Sequence, residues 1–192
     1  MAEVAQRAGR QAEAAARGGW IVLVGLMGAG KSSVGRLLAE RMGRIYADSD
    51  EAIEAAASMP ISEIFARDGE AFFRAREAEV IGRLLSGPPG VLSTGGGAWL
   101  GKAVRAAVAA RGTSVWLDAD LPTLWARVRG RAHRPLLDTP DPHGTLARLL
   151  AERAPVYALA DVRVRCGPGL SVSNAAEAVR AAVAAHVAEA RP

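Results

Sequence analysis

Gly25-Leu26-Met27-Gly28-Ala29-Gly30-Lys31-Ser32 follows the apolar run Trp20-Ile21-Val22-Leu23-Val24 and opens a segment with helical periodicity. Glycines at 25, 28 and 30 give the backbone access to φ > 0 and put no Cβ in the way of an anion, so successive N–H groups can converge on phosphate oxygens. Lys31 adds a mobile positive charge for β- and γ-phosphates, the Ser32 hydroxyl suits Mg²⁺, and the positive end of the following helix faces the same place. The stretch reads as a phosphate-binding loop for a magnesium-bound nucleoside triphosphate, contacted by Gly28, Ala29, Gly30, Lys31, Ser32 and Ser33. A plain glycine-rich turn is the alternative, and the complete G-x-x-x-x-G-K-S pattern between a strand and a helix argues against it.

Asp48-Ser49-Asp50 ends the next apolar stretch, which puts two carboxylates on the sheet edge that also carries the phosphate loop. Two acids there can divide the work, one holding waters around Mg²⁺ and the other accepting a proton from a substrate hydroxyl during phosphoryl transfer. Against this, Asp50 could merely cap a helix beginning near Glu51. Asp118, at the end of Ser114-Val115-Trp116-Leu117-Asp118, competes for the metal, although Asp118 and Asp120 also precede Leu121-Pro122 as helix caps, the preferred reading. Thr94-Gly95-Gly96-Gly97 has no side chain for chemistry beyond its threonine, but its glycines allow close backbone approach and offer N–H donors, unless the segment is only a flexible turn.

Arginines supply the remaining candidates. Arg74 has Glu77 three positions on, on one helical face, where an acid could orient its guanidinium. Arg127, Arg129, Arg131 and Arg134 crowd one loop, and Arg153 stands on the next helix. Guanidinium forks bind carboxylates and phosphates bidentately, which suits an anionic substrate alongside ATP. His133, His143 and Cys166 lack partners at catalytic or ligand spacing.

Short apolar runs at 20–25, 44–48, 90–94, 113–118 and 161–166 alternate with helical patterns, as in a parallel sheet covered on both faces. Val34, Leu37, Leu38 and Met42 should bury one face of the first helix, which Gly43 ends. Residues 51–86 read as a helical insert broken near Met59-Pro60 and Asp68-Gly69, and 129–145 as a mobile loop. The 192 residues fit one α/β domain over 20–188 after an alanine-rich extension, 1–19, that lacks a signal-like apolar core. No run reaches the length of a membrane span, and the single cysteine excludes an internal disulfide, so a soluble cytoplasmic protein is expected. The net charge of +4 is nearly all arginine; a nucleotide needs only a local basic cluster, so no nucleic-acid partner is expected.

Taken together, the phosphate loop, Asp48-Ser49-Asp50, Phe65-x-x-x-Gly69-Glu70-x-x-Phe73-Arg74-x-x-Glu77, Thr94-Gly95-Gly96-Gly97, Arg134-Pro135-Leu136-Leu137 and Arg153-x-x-x-Tyr157 resemble the shikimate kinase family, in order, from about Trp20 to Tyr157. The resemblance implies a three-layer α/β/α P-loop fold, a five-stranded parallel sheet of order 2-3-1-4-5, a substrate-binding insert at about 51–86 and a lid at about 129–142. It implies transfer of the ATP γ-phosphate to the 3-hydroxyl of shikimate by an enzyme expected to be monomeric. Asp50, Arg74, Arg153 and the turn Gly95, Gly96 and Gly97 would bind shikimate, the two arginines holding its carboxylate and Asp50 facing the reacting hydroxyl. Ser32 would ligate Mg²⁺, Asp48 would hold it through water, and Lys31 with Arg134 would stabilise the phosphoryl charge. Arg127 would pack on adenine, while Cys166-Gly167-Pro168-Gly169 departs from any assignable adenine-contacting pattern. A kinase for another hydroxy acid such as gluconate would be expected to change the insert, and a silent relative to lose Lys31, Asp50 or Arg134.

Overall fold

The computed structural model describes residues 19–130 and 135–190. Its strands are β1 (Trp20–Val24), β2 (Ile45–Asp48), β3 (Gly90–Ser93), β4 (Gly112–Asp118) and β5 (Val162–Arg165), each end within one residue of the apolar run that predicts it. All pair in parallel in the order β2-β3-β1-β4-β5, with Leu23 opposite both Ser93 and Val115. Central β1 is buried along its whole length, which is why its sequence is a continuous apolar run with no polar alternation. At one margin β5 alternates buried Val162 and Val164 with exposed Arg163 and Arg165; at the other, β2 exposes Ile45.

The helices are α1 (Lys31–Met42), α2 (Ser49–Ala57), α3 (Ile61–Leu85), α4 (Lys102–Arg111), α5 (Leu121–Val128), α6 (Pro142–Tyr157) and α7 (Val172–Glu189). From β1 the chain crosses one way to β2 through α1, and from β2 onward it crosses the other way through α3, α4 and α5–α6. With right-handed crossovers this puts α1 on one face and α3 and α4 on the other, and α1 packs on α7 while α3 packs on α4. The direction of winding reverses between β1 and β3. Ligands of open α/β sheets bind beyond the carboxyl ends of the strands at such a reversal.

Both expected breaks in the insert occur. Ser58 takes a left-handed conformation (φ 51°) before the extended Pro60, which leads into α3 at Ile61, and Gly69 interrupts that helix at φ 80°, ψ 172°. The loop expected to run to 145 ends earlier: Pro142 starts α6, and Asp141 caps it by accepting from the Gly144 N–H at 2.9 Å. Proline costs nothing in a first helical turn, where its missing N–H has no intrahelical partner, so the residues that look like breakers here begin a helix. Of the expected extension 1–19, only Gly19 falls within the described residues, and of the expected lid, Arg131 and Arg134 fall outside them. Among the described residues no helix is long and apolar enough to cross a membrane.

Candidate active site

The loop between β1 and α1 takes its shape from glycine: Gly25, Gly28 and Gly30 have φ of 138°, 84° and 99°, a region L-residues seldom adopt. A Cβ at Gly28 would also stand 2.7 Å from Val128 Cγ1. Lys31, 9 % exposed, donates through Nζ to the carbonyls of Gly25 at 2.8 Å and Leu26 at 3.1 Å. The ammonium is thereby gathered into the loop it would serve. Gly30 precedes the first turn of α1 with no side-chain cap on the helix N–H groups, so they remain directed at the loop.

Asp48 sits at the carboxyl end of β2, and its Oδ1 accepts the Asp50 N–H at 3.0 Å. The cap of α2 is therefore Asp48 and not Asp50, because the helix begins two residues earlier than expected, at Ser49. Asp48 Oδ2 accepts from Ser32 Oγ and from the Tyr46 hydroxyl, each at 3.0 Å. Relieved of capping, the Asp50 carboxylate is free to turn toward the turn after β3. Burial and the neighbouring Asp48 charge raise its pKa above the ordinary carboxylate value, against a lowering from Lys31.

That turn is held to β1 by Thr94, whose N–H and Oγ1 both donate to the Leu23 carbonyl. Each of its three glycines meets a different functional group. A Cβ at Gly95 would lie 2.6 Å from Asp50 Oδ1 and 3.2 Å from Glu77 Oε1, and one at Gly97 would lie 2.7 Å from Arg74 Cζ. The Gly96 carbonyl accepts from Arg153 Nη1 at 3.3 Å and from the Tyr157 hydroxyl. Asp50, Arg74 and Arg153 thus converge on one tripeptide although they come from α2, α3 and α6. Gly95 and Gly97 are favoured by space, whereas a Cβ at Gly96 would meet nothing nearer than Met27 N at 3.5 Å, an ordinary contact, and none of the three has a positive φ. The Gly95 N–H, expected to be a donor for a ligand, donates instead to Ser49 Oγ at 3.0 Å, a link through a fully buried serine that its sequence neighbours do not disclose.

Glu77, 2 % exposed, accepts from Arg74 Nη1 at 2.8 Å and fixes that guanidinium, while its Oε1 has no hydrogen-bond partner among the described residues. Burial raises the Glu77 pKa, and Arg74 opposes the rise.

Arg127, on α5, donates to the carbonyls of Gly28 and Ala29 at 3.2 Å each and borders a cleft of about 230 Å³. The phosphate loop, Ser33 and Val34 form one side of the cleft, and Cys166, Leu170 and Val172 the other. Burial pushes the Cys166 thiol up to about 11, so its role there is that of an apolar wall. Asp118 does not cap a helix: its Oδ2 is held by Arg163 Nε at 2.9 Å and Nη2 at 2.6 Å, and Asp120 caps α5 by accepting from the Thr123 N–H. Arg134 lies outside the described residues.

The Shikimate kinase family model matches residues 27–184. A shikimate kinase of Ruegeria pomeroyi is 54% identical over 164 residues, covering 85% of this chain and 84% of the relative. One from Paramagnetospirillum magneticum is 57% identical over 144 residues, covering 75% of this chain and 74% of its own. Among solved structures, the Acinetobacter baumannii shikimate kinase in complex with shikimate superposes with a TM-score of 0.80 at 35% identity, covering 89% of this chain and 94% of its own.

Proposed function

The chain belongs to the shikimate kinase family, and we infer from this that it transfers the γ-phosphoryl group of ATP to the 3-hydroxyl of shikimate, releasing ADP and shikimate 3-phosphate. The reaction serves the chorismate route to aromatic amino acids. The observation that best supports this reading is the convergence of Asp50, the Arg74–Glu77 pair and Arg153 on Gly95–Gly96–Gly97, beside the phosphate loop.

The roles of individual residues follow from that placement. Backbone N–H groups over Gly28–Ser33 receive the ATP phosphates, and Lys31 exchanges carbonyl partners for phosphate oxygens, where its charge offsets the charge of the group in transfer. Arg134 shares that task in this reading, on the strength of the Arg134-Pro135-Leu136-Leu137 pattern alone. Arg127 closes the side of the cleft taken by adenine. Arg74 and Arg153 hold the shikimate carboxylate, with Glu77 keeping the first of them from turning away.

Asp50 accepts the proton of the attacking hydroxyl. Its raised pKa makes it a stronger base than an exposed carboxylate, and its position against Gly95 directs it into the site.

Mg²⁺ fits the donors present: the Ser32 hydroxyl and the Asp48 carboxylate are hard oxygens 3.0 Å apart, and an ion that keeps waters and phosphate oxygens needs few protein ligands. Ser32 would hold it directly and Asp48 through water; when bound it would offset the negative charge of the phosphates. A cytoplasmic monomer that acts on these two small substrates, without nucleic-acid or membrane partners, completes the proposal. Supplying ATP with shikimate or gluconate in parallel, and reading ADP release together with the phosphorus spectrum of the product, tests it. Turnover with shikimate alone is expected, and preferential turnover of gluconate would overturn it.

A further inference from the structure

Two hydroxyls reach the same oxygen of Asp48. Tyr46 stands two residues upstream on β2, hence on the same face, and donates to Oδ2, the atom that also accepts from Ser32 Oγ. With Oδ1 accepting the Asp50 N–H, the carboxylate is held by donors from α1, β2 and α2. The Tyr46 ring is itself fixed. A Cβ at Gly35 of α1 would come within 2.8 Å of Tyr46 Cε2, so the absence of that Cβ makes room for the ring, and the Arg36 guanidinium lies 4.7 Å from its centroid.

We propose that Tyr46 is a positioning residue for the metal site, its phenol holding Asp48 Oδ2 in the orientation that serves Mg²⁺. The proposal rests on the assignment of Ser32 and Asp48 to the metal. A Ser32 oxygen that gives a lone pair to a cation is constrained in where it can aim its proton, whereas the Tyr46 hydroxyl stays outside the coordination sphere and keeps its bond to Asp48. Hydrogen bonds of this outer kind set the direction and basicity of the carboxylate they touch, and removing one typically costs roughly ten- to a hundred-fold in metal affinity. A tyrosine that merely packed its ring against α1 would lose nothing on becoming phenylalanine.

Tyr46→Phe keeps the contacts with Gly35 and Arg36 and removes only the hydroxyl. Mn²⁺ titrated into the protein with saturating ADP, with free Mn²⁺ read by its paramagnetic resonance, should bind about ten-fold more weakly to the variant. ADP affinity measured without metal and the KM for shikimate should not change. Asp48→Asn run alongside separates the two ideas. If it binds Mn²⁺ as the parent does, the metal assignment falls; if it weakens Mn²⁺ while Tyr46→Phe does not, the Tyr46 proposal alone is overturned. Adding Tyr46→Phe to Asp48→Asn should weaken Mn²⁺ no further, since the hydroxyl acts through that carboxylate. Losses that add would assign Tyr46 an independent effect and overturn the positioning role.

Discussion

The half-buried Asp50 and the buried Glu77, carboxylates from different helices, meet at the volume that a Cβ on Gly95 would fill, 2.6 Å from one and 3.2 Å from the other. Burial is the largest influence raising both pKa values. Gly95→Ala is therefore expected to displace the Asp50 carboxylate and to lower kcat for shikimate by on the order of 10²-fold, the scale of a misplaced catalytic group. Nucleotide affinity should be preserved, and a variant with normal kcat would show that the turn yields more than the contact distances allow.

Asp50→Asn keeps the shape and cannot take the proton, so kcat should fall by roughly 10²-fold or more. The acid limb of the kcat/KM profile, which the raised pKa places above the ordinary carboxylate range, should vanish with it. Stability is expected to move the other way. A folded-state pKa above the unfolded one favours the fold when the group is protonated, and that contribution is lost as pH rises through the folded value. Charging Asp50 thus weighs on the fold, and above its folded pKa its amide should melt at a higher temperature than the parent, a gain that disappears below the unfolded carboxylate pKa. Melting curves at neutral and acid pH would decide the point.

Arg74→Ala and Arg153→Ala should each weaken shikimate binding by about 1.5–3 kcal/mol, roughly ten- to a hundred-fold by calorimetry, with little change for ATP. Their effects on folding should differ. Loss of Arg74 leaves Glu77 buried without its ion pair, so this variant should melt lower at neutral pH and recover as acid protonates Glu77. Loss of Arg153 leaves the Gly96 carbonyl still bonded to Tyr157, and stability should hardly change.

Lys31→Met preserves chain length at a nearly buried position and removes the charge. Turnover should drop by on the order of 10²–10³-fold while far-ultraviolet dichroism stays as in the parent. Substantial turnover by the folded variant would count against the phosphate-loop assignment.

The parts legible from the sequence are those whose physics is local. A fully buried parallel strand must be a continuous apolar run, which marked β1. The phosphate loop is contiguous, so the glycines that require φ > 0 and the lysine they serve sit within eight residues. What stayed hidden depends on residues brought together from afar. The cap passed from Asp50 to Asp48 because α2 begins at Ser49, a boundary that packing fixes. Ser49 binds the backbone 46 residues away, and Asp118 finds Arg163 rather than a helix terminus. Propensity alone gives no sign of either, and Pro142 reads as a breaker until the helix it starts is seen.

The two margins of the sheet have unequal consequences for how copies of the chain meet. A strand at a margin offers unpaired backbone groups to any neighbour in solution, and charged side chains pointing outward discourage that pairing. The β5 margin carries Arg163 and Arg165 in this way, whereas the β2 margin presents Ile45, which is 49% exposed, and relies on being only four residues long. Under heat or mild denaturant, growth of insoluble assemblies should accordingly be seeded from β2. Ile45→Lys is expected to delay that growth in light-scattering traces, whereas Arg163→Thr with Arg165→Thr would open a second route to it.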